Sequence, residues 1–78
     1  MQLLVTGATG KVGQAFLGRF LDERRWQHAR VVALCNNRTI PETGRVKVIR
    51  GSINDPAIIA SAMTGTTHVL HMAAVKED

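Results

Sequence analysis

The sequence is poor in the residues that usually fasten a small domain or carry its chemistry. A single cysteine, Cys35, excludes an internal disulfide and a paired-cysteine metal site. A lone thiol fits a reducing compartment, so the cytoplasm is the expected location. Tyrosine is absent, and the only aromatic side chains are Phe16, Phe20 and Trp26, all in or beside one segment. They read as core rather than as platforms for stacking bases. No stretch approaches the ~20 apolar residues of a membrane helix. Glycines and a lysine interrupt the opening residues, so neither a signal peptide nor a membrane partner is expected. Repeats, low-complexity tracts and proline- or serine-rich linkers are also missing.

At 78 residues the chain is at most one small domain. Folding at that size buries only about 60% of the surface the unfolded chain exposes, which leaves stability marginal. The net charge of +4 comes from ten basic and six acidic residues and invites an acidic partner, such as a phosphate-bearing ligand or nucleic acid. However, Arg19, Arg24 and Arg25 interleave with Asp22 and Glu23, the pattern of a solvated helix face. Nucleic acid is therefore the weakest reading. It requires steeply salt-dependent binding to DNA or RNA.

The pattern that is present alternates strand and helix. Gln2 to Thr6 (QLLVT) is a short apolar run bounded by glycine, as expected of a strand covered on both faces. Val12, Phe16 and Phe20 then recur at i, i+4 and i+8, widened by Leu17 and Leu21, which predicts an amphipathic helix from Lys11 to about Arg25. Arg30 to Cys35 predicts a second strand, Asn36 to Gly44 a loop, and Val46 to Ile49 a third strand. Asp55-Pro56 is a helix start with a mechanism. The carboxylate accepts from an orphan amide, and proline at the first helical position lacks the amide that would go unpaired. Ala57 to Met63 continues that helix, and Thr67 to Ala74 predicts a fourth buried strand. Four strands and about two helices in this order predict an α/β fold, the N-terminal half of a doubly wound parallel sheet with right-handed crossovers.

Gly7, Gly10 and Gly13 are spaced G-x-x-G-x-x-G between the first strand and the first helix. In such a turn one glycine supplies a φ forbidden to other residues and another lets the backbone approach a ligand. The third lets the helix pack closely on the strand. The outward amides of the first helical turn, aided by the helix dipole, favour a pyrophosphate. Gly7, Thr9, Gly10, Lys11 and Val12 are the expected lining, mostly through backbone atoms. A P-loop is rejected, because Val5 stands where its first glycine belongs and Val12 replaces its Ser or Thr. The histidines suggest no metal site. His68 and His71 stand three apart on a strand and so point to opposite faces. Cys35 reads as a small buried hydrophobe and His28 as a surface residue.

These residues carry a family resemblance. "TGATGKVG" resembles the nucleotide-binding turn of the short-chain dehydrogenase/reductase superfamily. "HVLHMAA" is similar to the fourth-strand V-x-H-x-A-A of its extended branch, the NAD-dependent epimerase/dehydratase group. "VIRGSINDP" is similar to that branch's V-x-G-D-hydrophobic-x-D-P. The short loop between strands two and three looks like that of atypical members related to isoflavone reductases. The resemblance implies a Rossmann-type NAD(P)-binding unit over residues 1–78, with the second half of the sheet and the catalytic region lying outside it. Gly7, Gly10 and Gly13 would hold the pyrophosphate. Ser52 stands where the family usually has an aspartate near the adenine amino group, and its hydroxyl can still bond there. Ile53 would flank the adenine, and the backbone of Ala73 and Ala74 would pass the nicotinamide-side ribose.

The end of strand two bears on cofactor choice. An acid there bonds the ribose hydroxyls and repels a 2′-phosphate, whereas a nearby arginine accommodates it. This chain has Cys35-Asn36-Asn37-Arg38 and no acid. Asn36 can bond a ribose hydroxyl without repelling phosphate, and Arg38 can pair with it bidentately. NADP is expected over NAD; the alternative is that Arg38 is a solvated loop residue.

In the resembled mechanism a tyrosine and a lysine in a Y-x-x-x-K turn perform the acid/base step, and this sequence has no tyrosine. No catalytic residue is expected here. The implied parent, of which this chain is a fragment or truncated product, is an NAD(P)-dependent oxidoreductase, epimerase or dehydratase acting on a small carbonyl or nucleotide-sugar substrate. The alternative is a non-catalytic NAD(P) sensor of the same fold. A chain ending after strand four would expose strand edges that recruit other chains, so it is expected to be poorly soluble or ordered only as a homo-oligomer.

Overall fold

The apolar runs at residues 2–6 and 30–35 form the two inner strands of a parallel sheet in the computed structural model, which describes residues 1–72. In chain order the elements are β1 (Gln2–Thr6), α1 (Lys11–Asp22), β2 (Arg30–Cys35), β3 (Val46–Arg50), α2 (Pro56–Met63) and β4 (His68–His71), with a short 3-10 turn at Arg24–Trp26. The sheet order is β3-β2-β1-β4 with every pairing parallel, the expected α/β half-sheet.

Both inner strands read as unbroken apolar runs because each face meets a helix. Leu3 and Val5 of β1, with Val31, Ala33 and Cys35 of β2, pack in one cluster with Leu17 and Phe20 of α1. Leu4, Val32 and Leu34 point the other way and meet Ala62, Ile58 and Ile59 of α2. Alternation along the strands thus divides one hydrophobic stretch between two cores. Asp55 starts α2 as expected: its Oδ1 accepts from the amides of Ala57 at 3.0 Å and Ile58 at 3.4 Å.

Three expectations are corrected. The buried stripe of α1 is centred on Gly13, Leu17 and Phe20, with Phe16 and Leu21 half-buried, while Val12 is 74% exposed. The helix is rotated by about one position from the sequence reading, because Gly13 presses against the preceding turn. With Phe16, Phe20 and Trp26, Val12 lines a shallow apolar groove on the outer side of α1.

The helix also ends at Asp22, not near Arg25, since Glu23 is extended at φ −76°, ψ 128°. Two groups secure that break. Trp26 stacks on Phe20 with centroids 5.4 Å apart. The Arg45 guanidinium donates to the carbonyls of Leu21 (3.0 Å), Ala29 (3.2 Å) and Trp26, the last of which also accepts the Ala29 amide at 2.9 Å.

Finally, β4 is not buried. His68, Val69 and His71 are exposed and Leu70 is half-buried, because β4 lies at the sheet edge and pairs only with β1 among the described residues.

Candidate functional site

The carboxyl ends of β1, β2 and β3 open into a cleft of about 420 Å³. It lies beside the point where the chain, having built β2 and β3 on one side of β1, crosses to place β4 on the other. Open α/β sheets bind ligands at such a switch. Gly7 and Thr9 line the cleft from the β1–α1 turn, Asn36, Asn37 and Arg38 after β2, and Ser52, Ile53 and Asn54 after β3. The strand-end residues Thr6, Leu34, Cys35 and Gly51 also line it, and among the described residues no carboxylate does.

The three glycines have separate reasons to be glycine. Gly7 sits at φ +76°, the left-handed region that side chains disfavour. A methyl on Gly13 would collide with the Gly7 carbonyl oxygen and stand 2.8 Å from Ala8 Cα, so Gly13 allows α1 to close on the turn. Gly10 is different. Its backbone is extended, at φ −76° and ψ 169°, and a Cβ there would meet only the Gly7 carbonyl oxygen, at an ordinary 3.6 Å. Nothing within the described chain demands glycine at that position.

The start of α1 contrasts with that of α2. Gly10 is its N-cap, no side chain caps the first-turn amides, and no acid occupies that turn. These are the orphan donors that an anion can satisfy at a helix N-terminus. The turn itself is held by Gly10 N–H donating to the Gly7 carbonyl at 3.2 Å and by Gln14 Nε2 donating to the Thr9 carbonyl at 2.8 Å.

Of the residues expected from sequence, Gly7, Thr9, Asn36, Arg38, Ser52 and Ile53 meet in this cleft. Gly10, Lys11, Val12 and Gly13 lie on the adjoining helical turn and do not line it. Ala73 and Ala74 lie outside the described residues. Sequence reasoning missed Asn37 and Asn54. The signal for Asn54 was its place two residues after Ser52, whose Oγ accepts the Asn54 amide at 3.0 Å and so shapes that wall. The Ser52 hydroxyl keeps its hydrogen and one lone pair for a ligand. Arg50 was missed too: its Nη2 donates to the Asn36 carbonyl at 3.2 Å, tying the β3 end to the cleft's second wall.

On the other side of β1, Thr6 Oγ1 lies 2.6 Å from His71 Nδ1 and accepts the Met72 amide at 3.2 Å. His68 Nδ1 lies 2.9 Å from Thr67 Oγ1. Each histidine therefore has a hydrogen-bond partner of its own, in keeping with a structural reading of both.

Residues 7–78 match the family model described as NAD(P)H-binding. The chain belongs to this family. The NAD(P)H-binding chain is also similar to a short-chain dehydrogenase/reductase superfamily protein from Agrobacterium tumefaciens solved with bound NAD. The TM-score is 0.71 at 27% identity, covering 99% of this chain and 21% of that one. It is 31% identical over 71 residues to the NAD-dependent glucose-6-phosphate dehydrogenase of Haloferax volcanii, covering 91% of this chain and 27% of the relative. It is likewise 31% identical over 83 aligned positions to the dTDP-glucose 4,6-dehydratase of Streptomyces antibioticus, covering 95% of this chain and 25% of the relative. The chain thus spans about a quarter of the length of these two curated relatives. The resemblance to the short-chain dehydrogenase/reductase superfamily, and the Rossmann-type α/β fold with it, hold. The chain is an NAD(P)H-binding domain of that superfamily. Among its described residues no helix is long and apolar enough to cross a membrane.

Proposed function

We infer that the chain seats a dinucleotide with its pyrophosphate over the Gly7–Gly13 turn and its adenosine half in the cleft beyond β2 and β3. The uncapped amides of Lys11, Val12 and Gly13 meet the pyrophosphate oxygens, with Thr9 beside them. Asn36 bonds the adenosine ribose, Arg38 pairs with a 2′-phosphate, and Ser52 and Ile53 bracket the adenine. In this arrangement the cofactor supplies hydride transfer, while these residues bind and orient it. The whole protein is then an NAD(P)-dependent oxidoreductase, epimerase or dehydratase acting on a small carbonyl or nucleotide-sugar. Its acid/base groups come from outside this chain, which holds no tyrosine.

The observation that carries this reading is Gly10. The fold tolerates a methyl there, so the residue's lack of a side chain is best explained by a ligand lying against it. Two of the compared proteins are associated with NAD by name or by bound ligand. This chain departs from an NAD-type pattern at the end of β2, where Arg38 lines the cleft and, among the described residues, no carboxylate does. That supports NADP as the preferred cofactor.

Calorimetric titration of the full chain with NADPH and NADH tests both points. Gly10→Ala should weaken both by roughly tenfold or more, since a methyl displaces a charge-assisted contact. Its melting temperature should stay near that of the parent. Unchanged affinity in Gly10→Ala overturns the pyrophosphate placement, and tighter binding of NADH than NADPH by the parent overturns the cofactor preference.

A further inference from the structure

The β2–β3 pairing sets Arg50 directly beside Cys35, level with the strand end that precedes Asn36. Alternation places Arg50 on the same face as Val46 and Val48, which pack toward α1. From there Nη2 donates to the Asn36 carbonyl oxygen at 3.2 Å. This is the one hydrogen bond its side chain makes among the described residues, and it leaves most of the five guanidinium N–H donors for something else.

Charge balance says what that is. A phosphate monoester carries close to two negative charges near neutral pH, and Arg38 supplies only one positive charge. Among the described residues no carboxylate lines the cleft. The acids nearest in sequence are engaged elsewhere: Glu42 Oε2 accepts the Val48 amide at 2.8 Å, and Asp55 caps α2. The ion pair found among the described residues, Arg25 with Glu23, involves neither arginine. Among the described residues, then, Arg38 in the cleft lining and Arg50, bonded to the Asn36 carbonyl beside it, are two guanidinium groups with no acidic partner. A cation held in that way, against a main-chain carbonyl rather than a carboxylate, keeps its charge available to an anion.

We propose that Arg50 is the second arm of the 2′-phosphate site. The phosphate is gripped between Arg38 and Arg50, and Asn36 lies between them against the ribose. This assignment rests on the dinucleotide reading above. It makes Arg50 a specificity-determining residue that acts on NADP alone, because NAD carries no group for it to hold.

The test is the ratio of NADPH to NADH affinity, measured by calorimetric titration of the full chain and its variants. Arg50→Gln should lower that ratio by about tenfold, the effect of removing one charged hydrogen-bond partner. Arg50→Lys, which keeps the charge without the fork, should recover part of it. Lys47→Gln removes a positive charge from the same strand on its other face and should leave the ratio as in the parent. Equal losses of NADPH and NADH in Arg50→Gln would make Arg50 a prop for the Asn36 segment and overturn the proposal. An unchanged ratio would do the same. A parent that prefers NADH overturns it while leaving the dinucleotide site standing. A parent that binds neither cofactor removes that site as well.

Discussion

Placing alanine at Gly13 should damage the protein in a way that the same substitution nearby does not. A Cβ at Gly13 would run into the Gly7 carbonyl and lie 2.8 Å from Ala8 Cα and 3.0 Å from Ala8 C. All three obstacles are backbone, so no side chain can swing aside and α1 must lift off the turn. Overpacking of this kind costs about 1–3 kcal/mol, and a backbone obstacle belongs at the upper end. Alanine regains up to about 1 kcal/mol of helix propensity, which leaves a net loss of about 2 kcal/mol. For a chain of 78 residues whose total stability is about 4–12 kcal/mol, that is a substantial fraction. The corresponding fall in melting temperature is roughly 10 °C. Gly18→Ala is the internal comparison. A methyl there meets nothing within 4 Å, so propensity alone should act and stability should rise by about 0.5–1 kcal/mol. Thermal or urea melts followed by circular dichroism measure both variants. If Gly13→Ala were as stable as the parent, or tracked Gly18→Ala upward, the close contact between α1 and the glycine turn would be wrong.

Two further perturbations probe the scaffold. Arg45→Met keeps the stem but removes the donors to the Leu21, Ala29 and Trp26 carbonyls. It should cost about 2–4 kcal/mol by urea titration, with Arg45→Lys only partly restoring stability; a loss under ~0.5 kcal/mol would contradict the clamp. Asp55→Ala should cost about 1 kcal/mol by removing the α2 cap, with Asp55→Asn recovering most of it. Equal stability of the three proteins would show that the cap contributes nothing.

What could be read from sequence was local chemistry. β1 and β2 were visible because strands covered on both faces leave continuous apolar runs. The α2 start was visible because Asp55 and Pro56 solve the helix-end problem within three residues. The glycine turn was visible because Gly7 and Gly13 each answer a geometric demand, one for a left-handed φ and one for close helix packing. What escaped depended on partners distant in sequence. The charged stretch Asp22 to Arg25 reads as helix, but Arg45 and the Phe20–Trp26 stack break it at Glu23. The phase of α1 was misjudged at Val12 because only contact with the turn fixes which face is inward. Apolar content suggested a buried β4, yet composition does not reveal which strand stands at an edge. Arg50 went unnoticed because its nearness to Asn36 exists only in the β2–β3 register.

The Arg45 clamp has a consequence for how this scaffold tolerates change. It gathers its three carbonyls where β2 and β3 begin, and the cleft opens where those strands finish. Five residues of strand, about 16 Å, separate the two ends. One rim is thus riveted by a half-buried cation bridge while the other carries short exposed loops. Substitutions that retune ligand choice at residues 36–38 or 50–54 are insulated from the joint that keeps the layers together. Such a division lets selectivity drift without the architecture loosening.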